Sequence, residues 1–192
     1  MRIIAGTKRG MNLLSPKNQV SRPITDRVKE SLFSVLYKYD LPDGAKIADL
    51  FCGVGSLGLE ALSRGAEFVL FVEQDRNIIT ILRKNIEKAG FIKNSKVIRA
   101  NAFKIDNLVG INERRFDLVF VDPPYKRTKN VQPGSPFADL LDLLGTRINN
   151  NGVVIVRTSV DVSLPEQYNR LQVVERRQWG TMAVAILKGT NS

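Results

Sequence analysis

Apolar positions along the chain follow two periods in turn, and that alternation predicts its elements. From Thr25 to Tyr39 the set Val28, Leu32, Val35, Leu36 and Tyr39 recurs at helical spacing, with Thr25 placed to cap the first turn. After the turn LPDG, strand-length apolar runs and helical patterns succeed one another. KIADLF reads as a strand, SLGLEALSR as a helix stopped by Gly65, and EFVLFVE as a strand. DRNIITILRKNIEKA reads as a helix, with Asp75 at its N-cap and Gly90 just past its end. SKVIRA (strand), AFKIDNLV (short helix), RFDLVFV (strand), PFADLLDLLG (helix) and GVVIVRT (strand) complete the series. At the two ends, RIIAGTKRGMNLLSP reads as a hairpin turned by its glycines, and RLQVVERRQWGTMAVAILK as two strands joined through RQWG.

The central strands are continuous apolar runs rather than alternating ones, the pattern of strands covered on both faces. The expected fold class is therefore α/β: a doubly wound, mostly parallel, Rossmann-like sheet of seven strands with helices on both faces. Its last strand is antiparallel, and an N-terminal β-hairpin is added. Residues 1–24 form a basic hairpin extension and residues 25–192 the main domain. KRTKNVQPGSP is the segment expected to be mobile.

Composition removes whole classes of chemistry. The chain has no histidine and a single cysteine, Cys52, so histidine bases, histidine triads, disulfides and the usual zinc sites are excluded. No metal is expected. No apolar run approaches the ~20 residues that span a bilayer, and MRIIAGTKRG is too short in apolar residues for a signal peptide. The expectation is a cytoplasmic protein without membrane contact, a monomer being the simplest assembly.

The net charge is +10 and it is unevenly placed. Residues 1–30 carry Arg2, Lys8, Arg9, Lys17, Arg22, Arg27 and Lys29 against Asp26 and Glu30, and Lys126, Arg127 and Lys129 stand together without an acid. Charge concentrated in this way fits a polyanionic partner, most simply nucleic acid; the alternative is a generally basic surface.

In a doubly wound sheet, ligands bind beyond the carboxyl ends of the strands. The first strand ends in DLFCGVGSLG, where Gly53, Gly55 and Gly58 match G-x-G-x-x-G, a spacing that lets backbone turn sharply and approach a ligand. The second ends at Glu73, whose carboxylate can accept both hydroxyls of a ribose. These features fit NAD and S-adenosylmethionine equally, or a glycine turn beside an exposed acid. Asp49 favours S-adenosylmethionine, because a carboxylate repels a pyrophosphate but attracts an ammonium and a sulfonium; it could equally bond neighbouring backbone amides. The third strand leads to Asn101 and Ala102, where an amide could meet an adenine edge or simply cap a helix.

The fourth strand stops at DPPY, residues 122–125. Two prolines cannot continue a ladder, so a carboxylate, a rigid carbonyl and an aromatic ring are presented past the strand tip. Methylating an exocyclic base amine needs such a set. The nitrogen lone pair is delocalised into the ring, and acceptors on the two N–H bonds favour a pyramidal nitrogen aimed at the methyl group. Asp122 supplies one acceptor and the carbonyl of Pro123 the other, stiffened by Pro124. Tyr125 can stack on the base for ~1–3 kcal/mol. Catalysis is then largely alignment, supplemented by the charge of Asp122.

These residues resemble the amino-methyltransferases of nucleic-acid bases, whose motif is [DNS]-P-P-[YFW]. More narrowly, MRIIAGTKRG, RPITDRVKESLFSVL, DLFCGVGSLGLEALSRGA, FVEQDRN and FVDPPY follow in order the pattern of the bacterial RsmD-type enzymes. Those enzymes methylate the N2 amine of a guanine in 16S ribosomal RNA. The resemblance implies a class I methyltransferase with S-adenosylmethionine as cofactor. It assigns to the cofactor Arg22, Thr25, Asp49, Phe51, Gly53, Gly55, Glu73, Gln74, Asn101, Ala102 and Asp122, with Pro23 close by. It makes Asp122, Pro123, Pro124 and Tyr125 catalytic, and gives RNA to Arg2, Lys8, Arg9, Arg22, Lys126, Arg127 and Lys129. The implied partner is 16S rRNA, the small ribosomal subunit or an assembly intermediate of it. The chain departs from the pattern after Tyr125: the family often has a glycine soon after the motif and an acid where the fifth strand ends, and here stand KRTKNVQPGS and Arg157. Rival readings are an adenine-N6 DNA methyltransferase, which the same DPPY would serve, and a non-catalytic RNA- or NAD-binding module.

Overall fold

The computed structural model describes residues 1–16, 24–107 and 115–190, with 105–107 described by backbone alone. The chain divides into two compact units, Met1–Arg99 and Ala100–Ser192.

The first unit contains α1 (Asp26–Leu36), β1 (Lys46–Leu50), α2 (Ser56–Ser63), β2 (Phe68–Glu73), α3 (Arg76–Ala89) and β3 (Ser95–Arg99). β2 lies between β1 and β3 and pairs in parallel with both. Ile47 to Leu50 and Val69 to Val72 are consecutively buried, so both faces of these strands are covered. The helix ends obey their local signals. Thr25 Oγ1 accepts the Val28 N–H at 3.3 Å, and Asp75 Oδ1 accepts Asn77 N–H at 2.7 Å and Ile78 N–H at 3.2 Å. Gly90 closes α3 at φ 76°.

The N-terminal arm folds back on itself as a short hairpin: Ile3 N–H donates to Met11 O at 2.9 Å, Leu13 N–H to Met1 O at 3.0 Å and Gly10 N–H to Ile3 O at 2.9 Å, around the antiparallel bridge of Arg2 with Asn12. Its outward-facing groups bond to helices. The amides of Ile4 and Ala5 donate to the two oxygens of Glu60 at 2.7 and 3.0 Å, Thr7 N–H to Ser63 O at 2.7 Å, and Leu14 N–H to Asn85 Oδ1 at 2.8 Å. Gly6, at φ 80°, runs so close to α2 that a Cβ would lie 1.7 Å from Ser63 O. Beneath the arm, Lys29 is fully buried; its Nζ stands 3.1 Å from Glu60 Oε2 and donates to Arg2 O at 2.6 Å. Arg64 Nε completes the cluster at 2.8 Å from Glu60 Oε1. Burial lowers the Lys29 pKa, and Glu60 opposes that shift.

The second unit contains a 3-10 segment (Ala102–Asn107), β4 (Phe116–Val121), a 3-10 turn (Tyr125–Arg127), α4 (Pro136–Gly145), β5 (Ile148–Ser159), β6 (Gln167–Tyr168), β7 (Leu171–Trp179) and β8 (Met182–Gly189). β4 and β5 pair in parallel; β5–β8, β8–β7 and β7–β6 are antiparallel. The described residues therefore hold eight strands, not the expected seven; β8, the last, runs antiparallel to β4 and β5 as expected, β7 runs with them, and only the added β6 shares the direction of β8. The added strand, β6, is two residues long and invisible to periodicity; its pairing of Tyr168 with Leu171 creates it. β5 starts four residues before GVVIVRT because Ile148 pairs with Phe116, and Asn149 Nδ2 donates to Asp117 Oδ1 at 2.6 Å.

The segment after DPPY, expected to be mobile, is mostly exposed and is anchored at Thr128, Val131 and Ser135. Thr128 is fully buried and its Oγ1 donates to Tyr125 O at 3.0 Å, while Tyr168 Oη donates to Val131 O at 2.8 Å. Ser135 then caps α4 by accepting the Ala138 N–H at 3.2 Å, with Pro136 at the first helical position.

Candidate active site

In the first unit, the parallel register of β1 and β2 carries Asp49 beside Phe71 and Leu50 beside Val72, so the glycine loop emerges level with Glu73. Cys52 N–H donates to Val72 O at 3.1 Å, continuing the ladder into the loop. Glu73 then closes it: Oε2 accepts Gly53 N–H at 3.1 Å, and Oε1 accepts the amides of Gln74 at 2.8 Å and Asp75 at 2.9 Å. A carboxylate has about four acceptor sites, so three amide bonds fix its plane and leave capacity for a hydroxyl.

The three glycines have different reasons to be there. Gly53 has φ 55°, and a Cβ there would meet nothing within 4 Å, so its face is open to an approaching ligand. Gly55, at φ 89°, would press a Cβ to 2.5 Å from Leu82 of α3. At Gly58 a Cβ would fall 2.4 Å from Phe71 and 2.9 Å from Val69, so this residue lets α2 seat on β2. Phe51 also has a left-handed backbone, φ 60°, which is unusual for a bulky residue and marks local strain in the loop.

Asp49 is 1% exposed, and its Oδ2 accepts Gly58 N–H at 2.8 Å in the first turn of α2. One oxygen thus serves the backbone-amide role that sequence left open beside cofactor binding. Gln74 is exposed, and its carbonyl accepts from Arg99 Nε at 3.3 Å. Thr25 is exposed and caps α1. Arg22 and Pro23 lie outside the described residues.

In the second unit, Asn101 is exposed and Ala102 buried, and Asn101 Oδ1 accepts Phe103 N–H at 3.0 Å, so its side chain caps the 3-10 segment. The buried strand β4 delivers Asp122 at its tip. Pro123 is buried, Pro124 exposed and Tyr125 half-buried, and Pro124 O accepts Arg127 N–H at 2.8 Å to form the following turn. Asp122 meets Arg157 of β5, Nε to Oδ1 at 2.5 Å, although the N–H is not aligned for a hydrogen bond. Burial raises the Asp122 pKa, and the charge of Arg157 works against that rise.

The basic residues divide by environment. Arg2 is engaged by Asp26 at 2.8 Å, and Lys8 Nζ lies 6.0 Å from the centre of the Phe91 ring. Arg9, Lys126, Arg127 and Lys129 are exposed.

Sequence reasoning did not assign Arg157 a role, although it flagged the residue as a departure from a pattern; the signal was a cation at a strand end beside a strand ending in an acid. It also missed Glu60, Ser63 and Asn85, polar residues on the otherwise apolar buried faces of α2 and α3. Asn85 ties the arm to the loop, its Nδ2 donating to Leu14 O at 3.0 Å and to Val54 O at 3.1 Å.

Comparison with known proteins gives a consistent result. The family described as Conserved hypothetical protein 95 matches residues 1–188. The chain is 34% identical over 190 residues to YlbH of Bacillus subtilis (strain 168), covering 98% of both chains. It is 34% identical over 175 residues to ribosomal RNA small subunit methyltransferase D of Haemophilus influenzae, covering 90% of this chain and 86% of that protein. Among solved structures, yhhF from Escherichia coli superposes with a TM-score of 0.81 at 31% identity, covering 98% of this chain and 97% of that one.

Proposed function

The chain belongs to the family described as Conserved hypothetical protein 95, the RsmD-type methyltransferases, and from that premise we infer an S-adenosylmethionine-dependent methyltransferase of small-subunit ribosomal RNA with the Rossmann-like class I fold. We assign as its target the exocyclic N2 amine of one guanine in 16S rRNA. The observation that carries methyl transfer to an exocyclic amine is DPPY at the tip of the buried strand β4, where an acid and a proline carbonyl follow each other as the ladder ends, and family membership supports guanine N2 as the amine.

The residues fit the cofactor. The open face of Gly53 admits a ligand against backbone, and Glu73 stands beside it with its plane fixed by amides. In this reading Glu73 accepts ribose hydroxyls, Asp49 supplies negative charge toward the amino-acid end, and Asn101 and Ala102 bound the adenine. The cofactor, when bound, supplies an electrophilic methyl group on a sulfonium. Asp122 accepts one N–H of the target amine, the Pro123 carbonyl accepts the other, and Tyr125 stacks on the base. As the nitrogen gains its fourth bond it loses a proton, and Asp122 is the acceptor at hand. Lys8, Arg9, Lys126, Arg127 and Lys129 meet phosphates, and residues 1–24 act as an RNA-gripping extension of the domain 25–192. The protein works as a cytoplasmic monomer on the subunit or on an assembly intermediate; among the described residues no helix is long and apolar enough to cross a membrane.

The test is methyl transfer from tritiated S-adenosylmethionine to small subunits from a strain lacking this gene and, in parallel, to DNA, with the product mapped by primer extension and nucleoside mass. One new N2-methylguanine supports the assignment. Label in DNA adenine, or none, overturns it.

A further inference from the structure

Arg157 stands where it can govern the reactive carboxylate. β4 and β5 are parallel with Val121 beside Val156, so the next rung sets Asp122 beside Arg157. The two side chains are 18% and 13% exposed and meet at 2.5 Å. On its other flank, β8 sets Val184 opposite Arg157 and Ala183 opposite Thr158, which brings no charge there. Tyr125, Lys126 and Arg127 are the titratable groups in the turn after Asp122, and among the described residues none of them forms a salt bridge with it. Within the second unit, Arg157 is thus the charge set against Asp122.

We propose that Arg157 is a positioning residue for methyl transfer, holding Oδ1 of Asp122 so that Oδ2 is the oxygen presented to the exocyclic amine. This rests on the reading of Asp122 as the amine's acceptor. A buried carboxyl left alone favours its neutral form, and a neutral acid presents an O–H where an acceptor is needed. A guanidinium counters this by remaining charged at every working pH, and its planar fork restrains the carboxylate in a way an ammonium cannot. With one oxygen occupied, the amine has one orientation in which its second N–H reaches the Pro123 carbonyl.

The experiment uses full-length protein with carboxyl-13C aspartate, the Asp122 resonance being identified by its loss in Asp122→Asn. In Arg157→Gln the Asp122 titration is expected to move up by about one pH unit or more, the size of effect an adjacent opposite charge exerts. The acid limb of kcat/KM for methyl transfer should move with it, and KM for S-adenosylmethionine should not change. Arg157→Lys should keep the acid limb near its wild-type place while kcat falls roughly tenfold, an alignment loss; this variant also decides the matter if the glutamine form does not fold. An Asp122 titration unchanged in Arg157→Gln, or wild-type kcat in Arg157→Lys, overturns the role of Arg157. Wild-type protein that methylates no RNA overturns the reaction assignment itself, and with it this role, a result distinct from an active wild type whose Arg157 variants behave like it.

Discussion

Glu73 accepts the backbone N–H of Gly53 at 3.1 Å, across twenty residues of sequence. The bond joins the tip of β2 to the glycine loop after β1, so the carboxylate proposed to hold the ribose also holds the loop. Glu73→Gln keeps the shape but replaces one acceptor oxygen by a donor that faces N–H groups. A charge-assisted bond of this kind contributes about 1.5–3 kcal/mol. The expected outcome is a tenfold or greater rise in the Kd for S-adenosylhomocysteine by calorimetry, together with a lower Tm.

The glycines separate binding from folding. Gly58→Ala forces a Cβ against Phe71 and Val69, and overpacking of this sort costs about 1–3 kcal/mol. Gly53→Ala meets no protein atom and incurs only its left-handed backbone, about 1–2 kcal/mol. Gly58→Ala should therefore be the less stable protein in urea unfolding. Gly53→Ala should lose more cofactor affinity relative to its stability. The reverse ordering would contradict an open ligand face at Gly53.

The buried cluster of Lys29, Glu60 and Arg64 anchors the N-terminal arm. Removing one member of a buried ion pair is destabilising by about 3–5 kcal/mol, because its partner is left charged and uncompensated. Glu60→Ala should show a loss of that size. Amide hydrogen exchange at Ile4 and Ala5, which donate to Glu60, should accelerate more than exchange in β1 and β2. Uniform acceleration would mean that the arm is not held separately.

The Asp122 carboxyl lies above its ordinary pKa of 3.8 through burial, with Arg157 opposing. The folded state therefore binds this proton more tightly than the unfolded chain. Its contribution to stability is fully present below 3.8 and is lost as pH rises through the folded value. Activity runs the other way, since the amine needs the anion. kcat/KM should fall on the acid side with a midpoint above 3.8, and Asp122→Asn should be inactive at every pH while lacking this stability dependence. A pH–rate profile and urea unfolding, each over roughly pH 3 to 8 so as to start below and end above the range of a raised carboxyl, check both slopes.

Charge reversal at Lys8 and Arg9 should weaken RNA binding and lower the salt slope of log K by roughly 1.5–2, as expected for two lost phosphate contacts. Arg2 is held by Asp26, so its replacement should matter less. Filter binding at several salt concentrations reads both. An unchanged slope would remove the arm from the RNA surface.

What sequence alone determined is local and periodic. Apolar runs placed β1, β2, β4 and β5, because strands buried on both faces need side chains that lose nothing on leaving water. Thr25, Asp75 and Gly90 ended helices as read, since a cap is settled by three or four adjacent residues. DPPY announced a strand tip because proline cannot pair. What tertiary structure alone decided are pairings between distant residues. β6 exists only because β7 lies beside it, and the hairpin is seated where Glu60, Ser63 and Asn85 take its outward-facing amides. Arg157 meets Asp122 only through the register of two strands thirty-five positions apart. Long-range partners are chosen by which buried polar group most needs satisfying, and no stretch of sequence by itself carries that choice.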